Sequence, residues 1–161
     1  MLIENVGEIK IFALDVDGTL TDGMIYIGEE GEIMKAFNAH DSLGLMKLLD
    51  TDIVPVIITG RSSRITQFRA NELGIREVYQ GIEDKLGTLK AVCEKYDCTI
   101  QNAIYVGDDE NDLVCMEAVA YVACPQDACK KVKEIANYIS GVNGGKGAVR
   151  DVIDTVIFEM E

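Results

Sequence analysis

Apolar residues run almost without interruption from Ile9 to Val16 (IKIFALDV). That is the pattern of a central parallel strand covered on both faces, not of a strand with one wet face. The run ends in an acidic, glycine-containing turn. Between Met24 and Phe37, the short runs MIYI and EIMKAF flank Gly28-Glu29-Glu30-Gly31, which predicts a β-hairpin. A helix is expected next, capped by Ser42, with Leu45, Leu48 and Leu49 on one face.

From Ile53 onward the pattern alternates. Ile53 to Ile58 predicts a buried strand, and Ser62 or Ser63 caps a helix with Ile65, Phe68 and Leu73 inward and Gly74 at its end. Glu77 to Tyr79 is a short strand, followed by a helical stripe of Leu86, Leu89, Val92, Cys93 and Tyr96. Ala103 to Val106 and Tyr121 to Ala123 predict strands on either side of a helix carrying Leu113, Met116 and Val119. A glycine-rich stretch, Gly141 to Gly147, precedes a last helix from Ala148 to Phe158. Such alternation builds βαβ units with right-handed crossovers. The fold class is therefore α/β: a doubly wound, mostly parallel sheet with helices on both faces, in one domain over residues 1–161 with the 24–37 hairpin inside it. Positions 18 to 58 hold only the hairpin and one helix, which leaves no room for a separate cap domain.

In doubly wound sheets, ligands bind at the carboxyl ends of the strands. Four successive strands end in polar residues: Asp15, Asp17, Gly18 and Thr19; Thr59, Gly60 and Arg61; Lys85; and Gly107, Asp108, Asp109 and Asp112. All would converge on one crevice.

The charge balance sharpens this. Fifteen Lys and Arg against 28 Asp and Glu give a net charge of −13, which repels nucleic-acid backbones and anionic membranes. No apolar run reaches the roughly 20 residues of a bilayer span, and a cytoplasmic protein is expected. Five cysteines without zinc-type spacing read as reduced, mostly buried thiols. Carboxylates gathered at one crevice would repel each other without a cation, and oxygen donors select magnesium. Carboxylates, Mg²⁺ and a lysine around a phosphate make a phosphoryl-transfer site, with an aspartate as the natural nucleophile.

The residues at these strand ends carry a resemblance. Asp15-Val16-Asp17-Gly18-Thr19-Leu20, Thr59-Gly60, Lys85 and Gly107-Asp108-Asp109-Glu110-Asn111-Asp112 resemble the four ordered motifs of the haloacid dehalogenase superfamily of phosphatases. Further runs cover nearly the whole chain: Lys35-Ala36-Phe37-Asn38, Ile58-Thr59-Gly60-Arg61, Tyr79-Gln80-Gly81, Asp84-Lys85-Leu86 and Gly144-Gly145-Lys146-Gly147-Ala148-Val149-Arg150. These are similar to 3-deoxy-D-manno-octulosonate 8-phosphate phosphatases of lipopolysaccharide biosynthesis and to their sialic-acid-type 9-phosphate relatives.

The resemblance implies that Asp15 attacks phosphorus, while Asp17 protonates the leaving oxygen and later activates water. Thr59 and Lys85 would hold the phosphoryl group; the strand-end reading adds Gly60 to them and makes Arg61 a candidate for a substrate carboxylate, against a merely solvated arginine. Mg²⁺ would be held by Asp15, Asp108 and the backbone carbonyl of Asp17, with Asp109 and Asp112 supporting it from outside the ligand set. It also implies a capless homotetramer whose longer members close a neighbour's site with a C-terminal tail, whereas this chain stops soon after its final helix. His40, the single histidine, stands where the octulosonate enzymes usually have arginine. The hairpin's apolar residues (Met24, Ile25, Tyr26, Ile27, Ile33, Met34 and Phe37) cover either another subunit or this chain's own sheet.

Overall fold

The structure, a computed structural model, describes residues 9–159. In chain order its elements are β1 (Ile11–Leu14), β2 (Tyr26–Gly28), β3 (Gly31–Met34), α1 (Ala39–Leu48), β4 (Val54–Ile58), α2 (Arg64–Leu73), β5 (Glu77–Tyr79), α3 (Lys85–Lys95), β6 (Ala103–Val106), α4 (Leu113–Met116), β7 (Tyr121–Cys124), α5 (Lys130–Ile135), β8 (Tyr138–Ile139) and α6 (Ala148–Val152). A π-helical segment, Ile153–Phe158, prolongs α6.

Six strands form one sheet in the order β5-β4-β1-β6-β7-β8, every neighbouring pair parallel. β1 is buried along its whole length because both its faces are covered. Phe12 and Leu14 enter one core with Leu45, Leu48, Leu73 and Val152 of α1, α2 and α6. Ile11 and Ala13 enter the other with Leu89, Val92, Met116 and Val132 of α3, α4 and α5. This period-2 division of side chains explains why the strand reads as an unbroken apolar run. The chain winds outward from β1 through β4 to β5, then returns through α3 to β6 on the other side of β1. The winding reverses between β1 and β6, so the carboxyl ends of these two strands open a crevice.

The hairpin β2–β3 forms a separate two-stranded antiparallel sheet with a register shift between Tyr26 and Ile27. Met24, Ile25, Ile27, Ile33 and Met34 are exposed on it, whereas Phe37 packs against this chain's own core.

Several boundaries differ from the sequence expectation. Asn38, not Ser42, caps α1, its side chain accepting from His40 N at 2.8 Å. Ser42 lies inside the first turn and donates to the Asn38 carbonyl instead. Ser63 caps α2, accepting from Thr66 N. Phe68 is 66% exposed, because the buried stripe of α2 is Thr66, Ala70 and Leu73. Two elements, α5 and β8, were not expected. No described helix is long and apolar enough to cross a membrane.

Candidate active site

β1 delivers Asp15 to the crevice and β6 delivers Asp108, and each is held there by a residue of the other's strand or turn, far away in sequence. Asp15 is buried and takes its place directly after the strand, its N–H donating to Val106 O at 3.0 Å. Asp108 lies against the turn that follows Asp17. Its Oδ1 accepts from Thr19 Oγ1 at 3.1 Å, and a Cβ on Gly18 would fall 2.1 Å from its Oδ2. Gly18, at φ +91°, is thus required both by backbone conformation and by the space this carboxylate occupies.

Carboxylate atoms of Asp15, Asp108 and Asp112 all approach within 4.8 Å of one another. Burial, reinforced by the charge of Asp112, raises the Asp15 carboxyl to about 6 against the pull of Lys85. Burial, then Asp112 and Asp15, push Asp108 to about 7. In both groups burial is the larger cause, and the crowding of carboxylate charge adds to it.

Asp112 is the fully satisfied member. Its Oδ1 accepts from Lys85 Nζ at 2.8 Å and Tyr105 OH at 2.9 Å, and its Oδ2 from the N–H groups of Asp108 at 3.1 Å and Asp109 at 3.3 Å. With two donors on each oxygen, it orients its neighbours and leaves the crevice to others. Lys85 opens α3, and its ammonium also lies 3.2 Å from Asp15 Oδ1. Burial alone would lower its pKa, but Asp15 and Asp112 hold it above the ordinary lysine value, so it stays charged. That contact is an ion pair without hydrogen-bond geometry, and Asp15 Oδ1 is left buried with no hydrogen-bond donor. A buried oxygen without a hydrogen-bond donor, on a residue whose carboxylate gathers with those of Asp108 and Asp112, fits a hard divalent cation such as Mg²⁺.

Asp15, Asp17, Thr59, Gly60, Arg61, Asp108, Asp109 and Asn111 line a single cleft of about 200 Å³. Thr59 is buried at the end of β4, its N–H donating to Tyr79 O at 3.0 Å, and the exposed Gly60 and Arg61 follow. Asp109 caps the short turn Glu110–Asp112, accepting from Glu110 N at 2.8 Å. Seven of the nine residues given roles in the sequence line this cleft, and the other two, Lys85 and Asp112, lie against Asp15 and each other beside it.

Two sets of groups have a role that the sequence reading did not assign. Tyr105 was read only as part of an apolar strand, yet its hydroxyl is one of the four donors to Asp112. Lys35, named only within the run Lys35-Ala36-Phe37-Asn38 and given no role, and Glu32 lie at the foot of a hairpin that was read for its apolar residues. The Lys35 ammonium binds Asp17 Oδ1 and sits 2.9 Å from Glu32 Oε1, while Glu32 Oε2 accepts from Ser63 Oγ. Burial would raise the Glu32 carboxyl, but the Ser63 and Lys35 hydrogen bonds outweigh it and hold the group below its ordinary value. Arg61 Nε lies 3.8 Å from Asp17 Oδ2. Acid and base at Glu-x-x-Lys spacing were the available signal.

The glycine-rich loop serves as backing. Gly145 N donates to Thr19 O at 3.3 Å, and a Cβ on Gly144 would lie 1.9 Å from Gly18 O. The loop presses on the turn that carries Asp17, while its Lys146 stays exposed.

Residues 71–153 match the family model of the haloacid dehalogenase-like hydrolases. Along almost the whole chain, it is 37% identical to the 3-deoxy-D-manno-octulosonate 8-phosphate phosphatase of Yersinia pestis, covering 99% of this chain and 86% of that protein. It is 40% identical to the corresponding enzyme of Escherichia coli strain K12, covering 97% and 83%. Solved structures agree. The 3-deoxy-D-manno-octulosonate 8-phosphate phosphatase of Moraxella catarrhalis, determined with a magnesium ion, a phosphate ion and KDO, superposes with a TM-score of 0.91 at 38% identity, covering 96% of this chain and 88% of that one. The cobalt-bound deoxy-D-mannose-octulosonate 8-phosphate phosphatase of Haemophilus influenzae gives 0.91 at 32% identity, covering 96% and 90%. With the motif residues gathered at one crevice and this likeness along nearly its full length, the chain belongs to the 3-deoxy-D-manno-octulosonate 8-phosphate phosphatase family of haloacid dehalogenase-like hydrolases.

Proposed function

We propose that this protein hydrolyses 3-deoxy-D-manno-octulosonate 8-phosphate with Mg²⁺ as cofactor, through an aspartyl-phosphate on Asp15. The observation that carries the reading is the gathering of the Asp15, Asp108 and Asp112 carboxylates within 4.8 Å of one another at the switch point of the sheet, with Asp15 Oδ1 buried beside the Lys85 ammonium. The magnesium, phosphate and KDO of the Moraxella catarrhalis structure support the choice of cofactor and substrate.

Asp15, Asp108 and the backbone carbonyl of Asp17 would hold the Mg²⁺, with Asp109 and Asp112 fixing the loop around them. When bound, the cation offsets the carboxylate charge and polarises the phosphoryl oxygens. Thr59, Gly60 and Lys85 hold the phosphoryl group, and Lys85 keeps its direction because Asp112 fixes it. An Asp15 oxygen forms a bond to phosphorus as the bond to the sugar oxygen breaks, and Asp17 gives its proton to that oxygen. Asp17 then takes a proton from the water that attacks phosphorus and frees Asp15. Arg61, half-exposed at the rim, faces the sugar acid. A receiver-like phosphoacceptor keeps its aspartyl-phosphate for long periods, and a group such as Asp17 beside it works against that.

Assembly as a homotetramer in the cytoplasm, within lipopolysaccharide synthesis, completes the proposal. It is supported by the exposed apolar hairpin, since a two-stranded ribbon is marginal alone in water. Exposed His40, in the place of arginine, leaves a nine-carbon 9-phosphate as the competing substrate. Phosphate release from both sugar acid phosphates, with and without Mg²⁺, tests the reading. Mg²⁺-dependent turnover with the 8-phosphate preferred is expected, and no release from either would overturn it.

A further inference from the structure

Lys35, like Lys85, keeps its ammonium out of solvent. Its side chain is 2% exposed although it lies at the foot of a projecting hairpin. Burying an ammonium is costly unless charged partners surround it, and an apolar residue would serve a merely structural purpose at less cost. Its partners are Asp17 and Glu32. Asp17 Oδ1 has this ammonium as its hydrogen-bond donor, while Arg61 approaches the other oxygen only to 3.8 Å, as an ion pair. Glu32 is itself pinned: its other oxygen accepts from Ser63 Oγ, and Ser63 is the cap of α2, immediately after the Thr59-Gly60-Arg61 turn.

The contacts form a continuous line from the start of α2 through Glu32 and Lys35 to Asp17. On the reading of Asp17 as the acid and base of this site, we propose that Lys35 is the positioning residue for Asp17. Its ammonium selects one orientation of that carboxylate and anchors it, through Glu32 and Ser63, to the start of α2, which follows the Thr59-Gly60 turn. Without Lys35, Asp17 is free to turn toward solvent or toward Arg61, and the proton it must deliver is no longer aimed at the leaving oxygen. Geometry of this kind governs how much a general acid contributes. The hairpin then has two functions: an apolar outer surface, and a charged foot that sets the acid.

A double-mutant cycle tests this, using Lys35→Met, Lys35→Arg, Asp17→Asn and the combined Lys35→Met/Asp17→Asn variant, each checked by sedimentation against wild type. With the sugar acid 8-phosphate and Mg²⁺, Lys35→Met should lower kcat roughly 10- to 100-fold with KM nearly unchanged, since it acts through an acid worth about 10²–10⁴-fold. Lys35→Arg should recover most of the loss. In the Asp17→Asn background the Lys35→Met change should cost less than about threefold more, because residues acting through one another are not additive. Release of the first product should be slowed by Lys35→Met for the sugar phosphate but hardly at all for 4-nitrophenyl phosphate, whose phenolate leaves without a proton. If Lys35→Met does not fold, Glu32→Gln, which weakens the same anchor, takes its place in the cycle with the same non-additivity expected. Independent, multiplying losses, or equal slowing of both leaving groups, would overturn the role of Lys35 while leaving Asp17 in place. Wild-type kcat in Asp17→Asn alone would instead overturn the reading of Asp17, and the inference with it.

Discussion

Lys85 Nζ lies 2.8 Å from Asp112 Oδ1, and the Asp112 side chain is 0% exposed. This pair makes a lysine usable at the base of a cleft. Asp112 fixes the ammonium's direction and keeps it charged, while its other oxygen holds the loop carrying Asp108. Asp112→Asn keeps the shape but removes the charge, and residues that support a metal or phosphate ligand in this way usually contribute about 10- to 100-fold. A loss of kcat/KM in that range, with a raised Mg²⁺ requirement, is expected from steady-state kinetics. Asp112→Leu, which leaves Lys85 buried without this partner, should also destabilise the fold by about 3–5 kcal/mol in denaturant titrations.

The raised carboxyls make stability depend on pH in a definite direction. Asp15 at about 6 and Asp108 at about 7 bind protons in the folded chain that the unfolded chain, at 3.8, has already released. Stability from these groups is complete below about pH 4 and falls as the pH rises through 6 to 7. A divalent cation competes with those protons. With cations first removed by a chelator, the rise in Tm on adding Mg²⁺ should be larger at pH 8 than at pH 5. An equal or larger rise at pH 5 would count against these carboxylates as the metal's ligands.

Gly144 and Gly141 offer a controlled comparison in one loop. A Cβ at Gly144 meets the Gly18 carbonyl at 1.9 Å, whereas a Cβ at Gly141 meets nothing within 4 Å. Gly144→Ala should lower both Tm and kcat by displacing the turn that holds Asp17, and Gly141→Ala should leave both within experimental error. Thermal unfolding and kinetics of the two variants decide it.

The hairpin predicts a different kind of failure. Replacing Ile25, Ile27 and Ile33 with polar residues should give a smaller species in sedimentation. That species should lose activity on the sugar acid phosphate more than on an aryl phosphate, since only the sugar needs a wall built by a neighbour. A wild-type protein that is monomeric and fully active at micromolar concentration would contradict the assembly.

The chemistry of this site was legible because it sits at strand ends. Ile11 to Leu14 and Pro55 to Ile58 are buried on both faces, so each announces itself as an apolar run, and the polar residue that breaks the run marks the crevice. Element α5 escaped notice because its six residues include three lysines and bury only Val132, and β8 because it pairs over just two residues. The α1 cap was misplaced since Asn38 and Ser42 both suit the role, and only the backbone decides between them. Phe68 was placed inward because helical spacing puts it near Ile65, but Thr66 and Ala70 are small enough to bring α2 close to the sheet on the adjoining face. The roles of Lys35 and Glu32 were hidden by their apolar neighbours: the periodicity of the ribbon describes its outer faces, not the charges at its foot.

The most direct measurement traps the covalent intermediate. Asp17→Asn protein mixed with an aryl phosphate and Mg²⁺, acid-quenched within one turnover and digested, should carry phosphate on the peptide containing Asp15, since the aryl group leaves without a proton and Asp17 is missing only for the hydrolysis that follows. The added mass should be absent from Asp15→Asn protein treated in the same way. Phosphate on a different residue, or full turnover by Asp15→Asn without any phosphoenzyme, would contradict Asp15 as the nucleophile.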